Sequence, residues 1–135
     1  MSAFETMRLP PAPNIVAPDG MDVRILLGTT GGSMAHFELG PGEVTTAIGH
    51  RTVDEIWFFL GGAGELWRSE DDDSEVLAVE QGMCISILAG TRFQMRCAGD
   101  GPLSVVSVTM PPWPGDGEAF VVDGAWAPTI GLGAP

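Results

Sequence analysis

The chain reads as an all-β domain, a sandwich or barrel, and three observations carry that expectation. Nineteen glycines and eleven prolines punctuate 135 residues, so the apolar runs between them are short. No stretch of ten or more residues has helical periodicity. Several of the runs alternate polar and apolar side chains with the period of two that a half-buried strand requires. The length fits one domain, large enough to bury about two-thirds of its unfolded surface.

In chain order, residues 1–22 form a Pro-rich arm, with PPAP at 10–13 and a turn at Pro18-Asp19-Gly20. Val23 to Leu27 is a short strand and Gly28 to Gly32 a flexible connection. Ser33 to Leu39 (SMAHFEL) alternates, but its parity is open. Either Ala35, Phe37 and Leu39 face the core, or Met34, His36 and Glu38 do; the apolar set favours the first and leaves His36 outside. Pro41-Gly42 then turns into GEVTTAIGHRTVDEIWFFLGG. Thr46, Ile48 and His50 share one strand face, Arg51 to Asp54 turns, and Glu55, Trp57 and Phe59 alternate along the next strand. Gly61 and Gly62 break the ladder.

Glu65 to Arg68 begins a further strand, followed by SEDDDSE, five of whose seven residues are acidic. Its spacing lacks the glycine and terminal glutamate of a calcium loop, so a solvated hairpin is expected. Strands follow at Val76 to Val79, Cys84 to Leu88, Thr91 to Cys97 and Leu103 to Met110. The core thus spans about 23–110. The tail, 111–135, opens with three prolines that cannot serve a central strand. Its tryptophans, Trp113 and Trp126, are expected to pack down as a lid or a subunit contact.

Charge and composition exclude several functions. A formal charge of −12 disfavours nucleic acid and anionic membranes as partners. All six basic residues are arginine and there is no tyrosine, so a Schiff-base lysine and a tyrosine general acid are absent. Cys84 and Cys97 make no disulfide framework and read as small buried hydrophobes. Met1 to Asn14 has no apolar h-region, and no apolar run reaches the length of a membrane span; a cytoplasmic setting is the expectation.

The central stretch resembles the first motif of the cupin superfamily. That motif is a glycine, five residues, His-x-His, three or four residues, a glutamate, six residues and a glycine. Gly42, His50, Glu55 and Gly62 stand in register with it, with Ile48 in place of the first histidine. Gly82 to Cys97 resembles the second motif, in which Gly82 and Gly90 hold their places. There Leu88 replaces a proline, Phe93 a histidine and Cys97 an asparagine. The resemblance covers roughly residues 33 to 110. It implies an antiparallel jelly-roll β-barrel, and a homodimer, the common state of the family.

It also implies where chemistry would sit. Metallocupins hold a first-row metal with three histidines and a glutamate, which map here onto Ile48, His50, Glu55 and Phe93. Two donors remain where a catalytic site ordinarily uses three, so no tightly bound metal or other cofactor is expected. Metal-free cupins such as the sugar-nucleotide epimerases pair a histidine base with a carboxylate, and also use a tyrosine. By that resemblance His50 is the candidate base and Glu55 the partner that orients it. Ile48, Trp57, Phe59, Phe93 and Met95, with His36 as a further candidate, would line an apolar pocket for a small organic molecule. Isomerisation, cyclisation, dehydration and lyase chemistry suit such a pocket. A barrel that only binds a ligand, and a metal enzyme with an atypical ligand set that draws on His36, stay open as alternatives.

Overall fold

The computed structural model describes residues 4–135; the first three residues of the arm lie outside the described residues. Among the described residues there are eleven strands and no helix. β1 (Ile15–Val16), β2 (Asp22–Gly28), β3 (Ser33–Leu39), β5 (Asp54–Gly61), β8 (Cys84–Ile87) and β10 (Leu103–Met110) form one sheet, in the order β1-β2-β3-β10-β5-β8. β4 (Ile48–His50), β6 (Ala63–Glu70), β7 (Asp73–Glu80), β9 (Arg92–Ala98) and β11 (Ala119–Val121) form the other, in the order β11-β4-β9-β6-β7. Every pairing is antiparallel. The chain therefore folds as the all-β jelly roll its sequence predicts. Its hydrogen bonding is divided between two facing sheets instead of closing into one continuous barrel.

Turn chemistry accounts for the crossings. Gly62 carries the chain from the first sheet to the second at φ +84°, and a Cβ there would run into the carbonyl oxygen of Pro102. The acidic segment is a tight hairpin: Glu70 pairs with Asp73 across Asp71 and Asp72, and Asp71 takes a φ of 53°. Short polar side chains tolerate that left-handed backbone.

Period-two alternation packs one end of the sandwich. Leu39, Phe59, Leu66, Met95, Leu103 and Val105 are all essentially inaccessible to solvent there. Parity on β3 follows the apolar set. Leu39 is buried in the core and Phe37 packs against it, whereas His36 lies on the opposite face, in register with Arg24 and Val106. His36 is nonetheless buried, and its Nδ1 has no hydrogen-bond partner. Burial, followed by the neighbouring Arg24 guanidinium, holds its pKa below the usual imidazole value. Of the two thiols only Cys97 is buried; Cys84 is exposed, because it falls on the outward parity of β8.

Both terminal segments join the sheets. β1 extends the first sheet from the arm, and Arg24 Nε donates to Pro10 O at 2.8 Å. In the tail, β11 pairs with β4, and the buried Glu118 carboxylate accepts the Thr52 and Val53 amides at 2.6 and 3.0 Å. Gln94, fully buried, donates to Trp126 O at 2.8 Å and accepts from Trp126 N at 3.0 Å. The Trp126 ring lies under the Arg96 guanidinium, 4.2 Å away. Among the described residues no helix is long and apolar enough to cross a membrane.

Candidate functional site

At the end of the sandwich opposite the packed core, a cavity of about 320 Å³ remains. Strand register brings its chemistry together. Glu55 on β5 pairs with Thr109 on β10, and Trp57 pairs with Ser107, so all four point inward side by side. From the facing sheet, Ile48 on β4 pairs with Phe93 on β9, and His50 follows Ile48 at the next inward position. Ile48, His50, Glu55 and Phe93, the four positions that correspond to cupin metal ligands, therefore converge on one space.

The carboxylate is held at both oxygens. Ser107 Oγ donates to Glu55 Oε1 at 3.1 Å, and the Trp57 indole N–H donates to Oε2 at 3.1 Å. His50 Nδ1 stands 3.4 Å from the same Oε2, but in an orientation that makes no hydrogen bond. Glu55 thus does not orient the imidazole through a hydrogen bond. Aromatic rings do that work: Phe93 meets His50 edge-on at 5.3 Å and Trp113 at 5.0 Å.

Burial sets the protonation of the pair. It raises Glu55 to about 7, against the lowering effect of the Trp57 and Ser107 hydrogen bonds, with the Asp19 and Glu118 charges adding to the rise. It lowers His50 to about 4, partly opposed by the Glu118 charge. Near neutral pH the imidazole is therefore unprotonated and able to accept, while the carboxyl still carries a proton for part of the time.

The other expected pocket residues divide by position. Trp57, Phe93 and Ile48 line the cavity. Phe59 and Met95 do not: each lies two residues further along the same strand face, inside the packed core. His36 is excluded by its outward parity.

The sequence reading did not place Asp19, Ser107 and Thr109 on the cavity, whereas Trp113, expected as a lid or subunit contact, lines it. Asp19 read as a turn residue, yet its side chain is buried, with Oδ1 accepting the Met21 amide at 3.1 Å. Burial raises its pKa to about 6 in spite of that hydrogen bond. A signal for Ser107 and Thr109 was present in LSVVSVTM, where they continue the stripe begun by Leu103 and Val105. A polar end on an apolar stripe marks a face that leaves the core. Trp113 carried a different signal, a large aromatic on an irregular Pro-rich segment.

A metal of the cupin type does not fit this donor set. Ile48 and Phe93 fill two ligand positions with apolar bulk, and His36 cannot reach the cavity. Among the described residues no group of three or more His, Cys, Asp or Glu is arranged to hold a metal ion.

Comparison with solved structures agrees on the fold. Oxalate decarboxylase from Bacillus subtilis superposes with a TM-score of 0.68 at 13% identity, over 79% of this chain and 29% of that one. The capsular polysaccharide assembling protein CapF from Staphylococcus aureus gives 0.68 at 16% identity, over 82% and 34%. The chain thus spans only about a third of either protein. An uncharacterized conserved protein with a double-stranded beta-helix domain from Klebsiella pneumoniae matches along its whole length, covering 92% of this chain, at 16% identity and a TM-score of 0.63. Comparison with curated proteins gives no match. The cupin domain family model matches residues 35–109, from β3 to the end of the cavity-lining face of β10, and the chain belongs to that family.

Proposed function

We propose that the cavity performs acid–base chemistry on a small organic molecule, with His50 as base and Glu55 as the proton carrier beside it. The observation that supports this is the buried pair itself. An imidazole and a carboxyl lie 3.4 Å apart in a cavity whose walls are mainly apolar. Burial pushes their proton affinities in opposite senses, one group emptied and the other loaded, which is the arrangement that separates base from acid at neutral pH. A proton leaves the substrate for His50, and the Glu55 carboxyl returns one elsewhere on the molecule. Isomerisation, cyclisation, dehydration and lyase reactions share that pattern. At about 320 Å³ the cavity is at the lower end of the 300–1,000 Å³ common for ligand sites, so the substrate is small.

The experiment begins with a thermal-shift screen of small organic molecules, since a ligand of the native state raises the melting temperature by mass action. For the best ligand, turnover and affinity are then measured in the parent and in His50→Gln. Loss of turnover by 100-fold or more with affinity within about threefold is the expected result. Unchanged turnover would remove His50 from the chemistry. Binding without turnover in the parent would make the protein a ligand-binding cupin.

A further inference from the structure

Asp19 and Glu55 give the cavity a charge character that its walls do not balance. Both carboxyls line it, one from the arm and one from β5, and both are buried. Among the described residues no arginine lines it, and the chain has no lysine. The arginines are engaged or exposed elsewhere. Arg24 holds Pro10 O and approaches Glu38, and Arg51 donates to Gly117 O. Arg68 pairs with Glu75 and Arg96 with Glu65, while Arg8 and Arg92 are exposed. Among the described residues the only other titratable group on the lining is His50. Two buried carboxyls without a cationic partner are costly to ionise, and each is stabilised by a positive charge brought in from outside. The net charge of −12 adds a long-range field of the same sign.

We propose that the cavity selects small organic cations. The ammonium group of an amine would sit against the Asp19 carboxyl, with its apolar body against Trp57 and Phe93, which leaves Glu55 beside His50 to carry its proton. The inference rests on reading the cavity as a ligand site, and it narrows the substrate class within that reading. Aromatic rings suit this ligand twice, since they pack the apolar body and attract the cation through their faces. Carboxylates and phosphates are excluded, because the lining offers them no guanidinium or ammonium and sets two carboxyls against them.

The test uses three probes of closely similar size: 2-phenylethylamine, 2-phenylethanol and phenylacetate. Their dissociation constants are measured by titration calorimetry on the full chain at pH 7.5. The amine should bind at least tenfold more tightly than the alcohol, and the acid should give no detectable binding. Asp19→Asn should weaken the amine severalfold and leave the alcohol unchanged, a selectivity that mere loosening of the arm would not produce. Amine affinity should fall as the pH drops from 8 to 5.5, as Asp19 takes up a proton, while alcohol affinity stays level. An alcohol that binds as tightly as the amine, any binding by the acid, or no binding by any probe would overturn the charge preference. Acid–base chemistry at His50 would survive each of these outcomes, because its test is turnover of whichever ligand the screen finds.

Discussion

The two ends of the sandwich are built from the same strands and differ in what those strands turn inward. Toward one end β5, β9 and β10 present Phe59, Met95, Leu103 and Val105, which pack against Leu39 and Leu66 with no solvent access. Toward the other end the same faces present Trp57 and Glu55, Phe93, and Ser107 and Thr109, and a cavity remains. Strand periodicity determines which face is inward; side-chain volume and polarity determine whether the space closes. Carboxyl, hydroxyl and imidazole groups cannot interdigitate as leucines do, since each must keep a polar partner or a wet surface.

The sharpest way to break this contrast is to cut one aromatic ring at each end. Phe59→Ala removes a fully buried ring from the closed end and should cost about 3–5 kcal/mol in denaturant unfolding. Trp57→Phe cuts the pyrrole half of the indole, with the N–H that Glu55 accepts, from a wall that already borders open space, so it should cost less, about 1–2 kcal/mol. Similar losses for both would mean that the open end is packed as tightly as the core.

A second test rebuilds the open end. Ile48 and Phe93 are cross-strand partners beside His50, so Ile48→His with Phe93→His places three imidazoles and Glu55 around one point. Without metal each new imidazole should cost about 1–3 kcal/mol, as a polar group left unpaired among apolar neighbours. Added zinc or nickel should recover the loss and make the melting temperature depend on metal concentration. If metal stabilises the double variant no more than the parent, the four side chains do not share a coordination volume.

The mildest test reads protons. Glu55 is raised from 4.5 to about 7, so its contribution to stability is complete below pH 4.5 and is lost as the pH rises through 7. Asp19 acts in the same sense between 3.8 and about 6. His50 acts in the opposite sense, since its lowered pKa gives stability that is present above 6.5 and lost as the pH falls through about 4. Glu55→Gln removes the first of these alone. The variant should therefore gain on the parent by about 3 kcal/mol between pH 4.5 and 7, and by no more at higher pH. Melting curves for both proteins from pH 4 to 8.5 measure it, and a constant difference would show that Glu55 does not titrate in a buried site.

Local pattern alone settled much of this protein. Alternation and glycine position located the strands from Val23 to Met110. The resemblance of Gly42 to Gly62 and of Gly82 to Cys97 to the two cupin motifs, and not periodicity, implied that Ile48, His50, Glu55 and Phe93 meet in one place. The strands and their faces are legible because a strand repeats every two residues, so neighbours in sequence settle which side chains share a face. Depth along that face is not local. Phe59 and Met95 carry the same parity as Trp57 and Phe93, and only the facing sheet decided that the first two are core and the second two are wall. His36 likewise became buried on the outer face, a fate that the alternation of SMAHFEL could not reveal. Asp19, from the arm, and Trp113, from the tail, reach the cavity across long stretches of chain, and no spacing rule links them to His50. The proton affinities of Asp19, His50 and Glu55 belong wholly to the tertiary structure. Burial by side chains distant in sequence sets them, and until the sheets face one another those three groups are ordinary solvated acids and a base.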